Sequence, residues 1–198
     1  MSNIVIQNEN NSGASIFIKY PSLRYLNEFI SLRCAPEFLI RDIFPNAKEI
    51  TESMACFNAI RKYIKVKNFN NKNFNLFDVA CGSTPRTASL FAFLTQWICT
   101  AIDPKLKNEI YNIKKLKTYK YRIEDCEFKT ESTTIIIACH SHVKLDIINK
   151  QIKAPRKIFV SIECCKPLFL TGHKPVKVYE DYGIHSPKRE IKIWDIKE

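Results

Sequence analysis

Residues 75–104, with the sequence NLFDVACGSTPRTASLFAFLTQWICTAIDP, constrain the fold more than any other part of the chain. The segment opens with the apolar run LFDVA, which is typical of a buried parallel strand. Gly82 breaks this run, and Ser83 and Thr84 are candidate caps for a helix that follows. The run WICTAI then forms a second strand, which ends at Asp103. The segment therefore predicts a strand, a tight turn, a helix and a strand, which is the βαβ unit of a doubly wound sheet.

The ends of these two strands carry residue types that bind a nucleoside. In a doubly wound sheet, an acid about 20 residues after the glycine turn is placed to accept both hydroxyl groups of a ribose. Asp103 has this spacing from Gly82. A dinucleotide fingerprint also needs G-x-G-x-x-G for its pyrophosphate, and this turn has a single glycine. The sequence therefore favours a nucleoside ligand and disfavours an oxidoreductase that uses a nicotinamide dinucleotide.

The run Asp-Val-Ala-Cys-Gly at 78–82, followed by an acid after the second strand, resembles class I S-adenosylmethionine (SAM) dependent methyltransferases. That family usually has two or three glycines in the turn, where this chain has Ala80, Gly82 and Thr84. The resemblance implies that SAM is the cofactor, that the turn wraps its methionine part and that Asp103 holds its ribose. The predicted cofactor-binding residues are Asp78, Ala80, Cys81, Gly82, Ser83, Thr84, Arg86, Asp103 and Asp125.

The resemblance also suggests roles for residues after the third and fourth strands. An acid after the third strand often binds the adenine amino group in this family, which indicates Asp125, with Glu124 as the alternative. The loop after the fourth strand faces the methyl group, and here it has the sequence CHSH at 139–142. It lacks the Asn/Asp-Pro-Pro-aromatic motif of enzymes that methylate amino groups of nucleic acids, so methylation of a base N6 is disfavoured. We predict His140 and His142 as catalytic residues, because a histidine titrates near neutrality and takes protons from hydroxyl groups or ring nitrogens.

Arg86 stands in the first turn of the predicted helix, where a cation opposes the helix dipole. One interpretation is a surface salt bridge to an acid such as Asp78 or Glu163. The other is that Arg86 reaches over the glycine turn to the carboxylate of SAM, because arginine binds carboxylates through two parallel hydrogen bonds. The sequence is compatible with both.

A metal site is an alternative at the same edge of the sheet, because Zn²⁺ prefers thiol and imidazole ligands. The candidate ligands are Cys139, His140, His142, Cys164, Cys165 and His173. Their spacing matches no standard zinc pattern, and Cys139 and Cys164 also suit the ends of strands. From the sequence we therefore assign no metal.

Further elements follow the βαβ unit. Helices are predicted over residues 105–117 and 143–152. Strands are predicted over residues 119–123, 133–139, 157–162, 176–181 and 190–196. The last two strands form a hairpin that is typical of the methyltransferase sheet. The prediction is a Rossmann-like, doubly wound α/β fold with a mostly parallel seven-stranded sheet, a C-terminal antiparallel hairpin and an N-terminal helical extension.

Residues 1–73 form this extension, and residues 74–198 form the methyltransferase-like domain that the resemblance covers. Short β-like runs at 4–6 and 16–18 predict a hairpin or a loose arm. Helices are predicted over residues 21–35, 37–44 and 46–64. Asn46 and Glu49 resemble a capping pair at the start of the last helix. We expect these helices to pack on the sheet within one compact unit, with part of their surface as a substrate lid.

The formal net charge of +11 favours an anionic partner, first of all RNA or another nucleic acid. Basic and aromatic residues alternate over residues 62–74, which suits either single-stranded nucleic acid or a solvated linker. No apolar run approaches the roughly 18 residues of a membrane span, and the first residues lack the pattern of a secretory signal. The eight cysteines are scattered without a C-x-x-C pair, which favours reduced thiols. The sequence thus predicts a cytoplasmic or nuclear protein with no membrane partner.

Two functions follow from these observations. The first is a SAM-dependent methyltransferase, with RNA favoured as the substrate by the basic charge. The alternative is a catalytically inactive methyltransferase-like module that binds RNA or a protein partner.

Overall fold

A mostly parallel sheet forms the centre of the molecule. The computed structural model describes residues 22–64, 74–108 and 111–197. The strands are β1 (Phe74–Val79), β2 (Ile98–Ile102), β3 (Leu116–Tyr119), β4 (Phe128–Lys129), β5 (Thr133–Cys139), β6 (Ile152–Lys153), β7 (Arg156–Ile162), β8 (Lys177–Glu180) and β9 (Glu190–Lys197). Seven strands form one sheet in the order β3-β2-β1-β5-β7-β9-β8, and β4 pairs with β6 separately. Strand β9 runs antiparallel to both of its neighbours. The predicted sheet and its C-terminal antiparallel hairpin are confirmed.

Helices cover both faces of the sheet. They are α1 (Arg24–Ile30), α2 (Ala35–Ile40), α3 (Ala47–Ile64), α4 (Arg86–Leu94) and α5 (Leu145–Gln151). Strand β5 shows why both faces are covered, because its residues alternate between two hydrophobic clusters. Ile135 and Ile137 join the cluster that contains α3 and α4, and Ile136 and Ala138 join the cluster that contains α5. Among the described residues, no helix combines the length and apolar character needed to cross a membrane.

The N-terminal helices share the hydrophobic core with the sheet, as the sequence predicts. Helix α3 is buried at every position from Thr51 to Ile60, so it lies between the sheet and other elements. Asn46 Oδ1 accepts a hydrogen bond from the backbone N–H of Glu49 at 3.1 Å, which confirms one half of the predicted capping pair. The other half is wrong, because the Glu49 carboxylate pairs with Arg86. The β-like runs at 4–6 and 16–18, and most of the basic and aromatic run at 62–74, lie outside the described residues.

The helix predicted over residues 105–117 is wrong for the part of that segment that the structure describes. Asn112 and Lys115 have φ values of 50° and 68°, and such left-handed residues do not continue an α-helix. Leu106 and Tyr111 are buried from an irregular loop, so their apolar side chains reach the core without helical periodicity. Leu116 begins β3, which lies N-terminal to the predicted strand at 119–123 because this segment pairs with β2.

Candidate active site

The turn between β1 and α4 uses left-handed backbone at two positions. Ala80 has φ of 58° and Gly82 has φ of 81°. The backbone N–H groups of Ala80 and Cys81 donate to the carbonyl oxygen of Ile102 at 2.8 and 3.4 Å, which holds the turn against the end of β2. A Cβ atom on Gly82 would lie only 2.8 Å from Nη2 of Arg86. Glycine is therefore needed here both for its backbone conformation and for the close approach of the guanidinium.

Asp78, at the end of β1, binds the first turn of α4. Its Oδ2 accepts a hydrogen bond from the backbone N–H of Ala88 at 3.1 Å. The predicted side-chain caps are wrong, because neither Ser83 nor Thr84 caps α4 and the Thr84 hydroxyl donates to the carbonyl oxygen of Ile43 instead. Asp78 is 1% exposed, and burial raises its pKa to about 6 although the helix amides act against this. The structure thus gives Asp78 the role of anchoring α4 behind the turn.

Asp103, at the end of β2, lies beside the glycine turn. Its Oδ2 accepts a hydrogen bond from the backbone N–H of Gly82 at 2.8 Å, and its Oδ1 accepts one from Lys105 at 2.7 Å. A carboxylate has about four acceptor positions, so both oxygens keep capacity for further donors. Asp103 lines a cavity of about 590 Å³ together with Ala80 and Glu124. The sequence-based alternative Glu124, rather than Asp125, is therefore the acid at this cavity.

A second cavity of about 380 Å³ lies on the other side of the turn. Its lining includes Glu49, Glu52, Cys81, Arg86, His140 and Cys164. The two cavities share His140, which directly follows β5 and has φ of 52°. Left-handed conformations at residues other than glycine are rare, and they concentrate at functional sites. The cavities together form one candidate site at the carboxyl edge of the sheet.

His140 is bound to an acid that sequence reasoning missed. Nε2 of His140 lies 2.7 Å from Oε1 of Glu52, and Nζ of Lys48 lies 3.2 Å from the same oxygen. Burial by itself would raise the pKa of Glu52, but the hydrogen bond from His140 and the charges of His140 and Lys48 outweigh it and lower that pKa. Glu52 therefore accepts the proton of Nε2, which leaves Nδ1 of His140 as the basic atom. Nδ1 has no hydrogen-bond partner among the described residues.

Solved structures resemble this arrangement of elements, whereas no protein-family model and no curated protein sequence matches the chain. A mutant of MtNAS in complex with S-adenosylmethionine is 12% identical over 88% of this chain and 71% of its own, with a TM-score of 0.54. MtNAS in complex with MTA and tNA is 12% identical over 89% of this chain and 69% of its own, with a TM-score of 0.51. YhhF of Escherichia coli, assigned as a methyltransferase, is 7% identical over 71% of this chain and 84% of its own, with a TM-score of 0.50.

These likenesses agree with the strand order of the sheet and with its antiparallel β9. The chain has the class I SAM-dependent methyltransferase fold. In this methyltransferase fold the carboxyl edge of the parallel strands is the ligand edge. The cavities at Asp103 and at His140 both lie on that edge.

The methyltransferase fold brings only some of the predicted site residues together. Arg86 lines the smaller cavity with Cys81, and its salt-bridge partner is Glu49 rather than Asp78 or Glu163. The backbone of Ser83 supports the turn, since its carbonyl oxygen accepts a hydrogen bond from the hydroxyl of Tyr111 at 3.2 Å.

The two predicted catalytic histidines have different partners. His140 binds Glu52, whereas Nε2 of His142 lies 3.4 Å from Sγ of Cys165. A signal for the missed acid exists in the sequence, because Glu49 and Glu52 stand about one turn apart on a helix that is otherwise apolar at its centre.

Proposed function

We propose that this protein is a SAM-dependent methyltransferase. The observation that carries the proposal is the wall formed by Asp103 and the Gly82 turn in the larger cavity, which meets the smaller cavity at His140. Adenosine would occupy the larger cavity, with its ribose hydroxyls donating to Asp103. The methionine part would then pass over Gly82 towards Arg86. MtNAS, which shares the fold, has been crystallised with SAM, and this supports the choice of cofactor.

The smaller cavity has the groups that a methyl acceptor needs. SAM supplies an electrophilic methyl group on its sulfonium, and transfer is an in-line displacement for which positioning provides much of the catalysis. Glu52 fixes the orientation and tautomer of His140 through the hydrogen bond to Nε2. Nδ1 of His140 then takes the proton of an acceptor hydroxyl or ring nitrogen. His140 is thus the catalytic base, and Glu52 is its positioning residue.

We propose RNA as the acceptor, because the cavity mouths are basic and carry an exposed aromatic ring. The cationic residues that line the two cavities are Lys48, Lys105, Arg122, Lys144 and Lys188. Tyr121 lines the larger cavity and is 61% exposed, so its ring is available to stack on a base. The net charge of +11 acts in the same direction.

Calorimetric titration with SAM tests the cofactor. We expect binding by the wild-type protein and about fivefold weaker binding by Glu124→Gln, because an exposed hydrogen bond from the adenine amino group contributes about 1 kcal/mol. Asp125→Asn is the matched control, since Asp125 is the neighbouring acid and does not line the cavity; its affinity should equal that of the wild type. Absence of heat with folded wild-type protein would remove the cofactor from the proposal.

The salt dependence of binding to single-stranded RNA tests the acceptor. The slope of log K against log salt falls by about 0.7 for each lost phosphate contact on a single strand. We therefore expect Arg122→Ala/Lys144→Ala to lower it by about 1.4. Lys153→Ala is the control, because Lys153 is an exposed lysine in β6, directly before the amino end of β7 and so at the opposite edge of the sheet. Equal slopes for all three proteins would refute RNA binding at this edge.

The same RNA measurement separates the alternative function. A catalytically inactive module would bind SAM and RNA, yet radiolabelled methyl groups from SAM would appear in no RNA, protein or small-molecule pool. Label in the RNA that is lost in His140→Gln would support the enzyme.

A further inference from the structure

A second group of chemically reactive side chains lies at the ligand edge, next to the Glu52–His140 pair. Cys139 of β5 and Ile162 of β7 are register partners. His142 and Cys165 each lie three positions further along the chain (139 to 142 and 162 to 165). Because the two strands are parallel, both segments leave the sheet in the same direction and stay close. Sγ of Cys165 accordingly lies 3.4 Å from Nε2 of His142.

Cys164 completes this group. One ligand atom from each of His142, Cys164 and Cys165 lies within 4.8 Å of the others. In a tetrahedral site with Zn–S of about 2.3 Å and Zn–N of about 2.0 Å, neighbouring sulfur and nitrogen ligands are about 3.5 Å apart. The observed separation of 3.4 Å matches that edge of the tetrahedron. We propose that His142, Cys164 and Cys165 bind a soft divalent cation of the Zn²⁺ class.

Charge and access favour this ion. Two thiolates and a neutral imidazole compensate the charge of a divalent cation, and this mixed set is one that Zn²⁺ prefers. His142 and Cys165 are exposed, and Cys164 is half-buried, so the ion has a path from solvent. Binding displaces the thiol protons, which makes the affinity rise with pH.

The number of protein ligands indicates what the site does. Three protein ligands leave a fourth position open, as in catalytic rather than structural zinc sites. Cys164 and Cys165 line the smaller cavity together with His140, so the open position adjoins the space where the methyl acceptor would enter. It would hold water or a donor atom of the acceptor. This last step rests on the proposed function, whereas metal binding does not.

A neighbouring group, Glu52 with Cys139 and His140, has similar spacing but is less suited to a cation. Glu52 and His140 are already hydrogen-bonded to each other, and the ammonium of Lys48 lies 3.2 Å from the Glu52 carboxylate. A hydrogen bond with Cys56, together with burial, raises the pKa of the Cys139 thiol. His173, the remaining candidate from the sequence, belongs to neither group among the described residues.

Cobalt provides the test, because Co²⁺ takes tetrahedral zinc sites and its spectrum reports thiolate ligands. The fully reduced, full-length protein is titrated with Co²⁺ without oxygen and without SAM. We expect thiolate-to-cobalt charge-transfer bands that saturate at one equivalent, together with d–d bands of tetrahedral intensity. Addition of one equivalent of Zn²⁺ should abolish both sets of bands. Cys164→Ser, Cys165→Ser and His142→Ala should each weaken Co²⁺ binding by at least tenfold, since losing even a supporting group costs 10- to 100-fold.

Matched controls separate this site from other thiols and imidazoles. Cys126→Ser removes a partly exposed thiol that bonds the carbonyl oxygen of Arg122, and His173→Ala removes a histidine outside the group; both should bind Co²⁺ like the wild type. Circular dichroism establishes that each variant is folded. The proposal is overturned if no charge-transfer band forms, if the bands survive in Cys164→Ser and Cys165→Ser, or if Cys139→Ser abolishes them while those two variants keep them. SAM affinity is measured separately, so failure here leaves the methyltransferase proposal untouched.

Discussion

Replacing Gly183 by alanine should lower the free energy of unfolding by about 3 kcal/mol, because the new methyl group overpacks a buried contact and breaks its hydrogen bonds. Gly183 lies in the loop between β8 and β9, under the side chains of Arg24 and Tyr25. A Cβ atom there would lie 2.6 Å from Nε of Arg24 and 2.6 and 2.7 Å from two carbon atoms of the Tyr25 ring. Neither neighbour can withdraw freely, because both bind the same carboxylate.

That carboxylate belongs to Asp181, which is 4% exposed. The hydroxyl of Tyr25 donates to its Oδ2 at 2.6 Å, and Arg24 pairs with its Oδ1. The backbone N–H of Gly183 donates to Oδ1 as well, at 2.9 Å. Any shift of Tyr25 therefore leaves a buried carboxylate oxygen short of a donor. The contact also attaches α1 to the C-terminal hairpin, so the N-terminal extension depends on it.

The measurement is chemical denaturation of both proteins, with a thermal midpoint as a second readout. A loss of about 3 kcal/mol corresponds to roughly 6–12 °C in a chain of this size. Gly172→Ala is the control, because Gly172 has φ of 77° but nothing within 4 Å of its Cβ position. It should cost roughly 1 kcal/mol, the strain of a left-handed alanine. Both variants change glycine to alanine, so their effects on the unfolded chain are alike. Equal losses in the two variants would show that the contact with Tyr25 does not limit stability.

Local sequence patterns predicted the centre of the fold well. The strand predicted over residues 133–139 matches β5 from Thr133 to Cys139, because a continuous β-branched run suits a strand buried on both faces. The unit around Gly82 was recovered for the same reason, since apolar strands and a glycine breaker are local features. The acid Asp103 follows from a spacing that the βαβ geometry fixes, and it bonds the backbone of Gly82 as that geometry requires.

Patterns that depend on distant partners were not predictable. Leu106 and Tyr111 give the segment after β2 an apolar spacing like that of a helix, yet tertiary packing buries them from a loop. Glu52 was missed because its partner His140 lies 88 residues away. The stripe of apolar residues on α3 indicates one buried face, whereas the helix is buried on all sides at its centre. An acid on such a helix is a candidate site residue only when its neighbours in space are known.

Replacing Arg86 by lysine should remove the preference of the protein for SAM over decarboxylated SAM. Nη2 of Arg86 donates to the carbonyl oxygen of Cys81 at 2.7 Å, and Nη1 pairs with Glu49. The guanidinium has five N–H donors, so donors remain for a third partner. Both Arg86 and Glu49 line the smaller cavity. The Glu49 carboxylate also explains how a cation is tolerated at the start of α4, where the helix dipole opposes it.

The extra role follows from where the guanidinium lies. It covers Gly82 so closely that a Cβ atom there would be 2.8 Å from Nη2, which is the position from which donors face the methionine part of a bound SAM. Forked, charge-assisted hydrogen bonds to its carboxylate would contribute about 2 kcal/mol, or roughly 30-fold in affinity. Lysine keeps the charge for Glu49, but an ammonium is a point donor and does not reproduce the fork. The preference for SAM should therefore fall by about 30-fold in Arg86→Lys, while affinity for decarboxylated SAM stays unchanged.

Parallel calorimetric titrations of the two ligands into wild-type, Arg86→Lys and Arg61→Lys proteins provide the measurement. Arg61→Lys is the matched control, because Arg61 also forms an ion pair, with Glu28 at 3.2 Å, but lines neither cavity. A general loss of stability from shortening an arginine fork would weaken both ligands equally, whereas loss of the carboxylate contact weakens SAM alone. If wild type and Arg86→Lys discriminate equally between the two ligands, Arg86 serves only to hold Glu49 and the turn, and the SAM carboxylate has another partner.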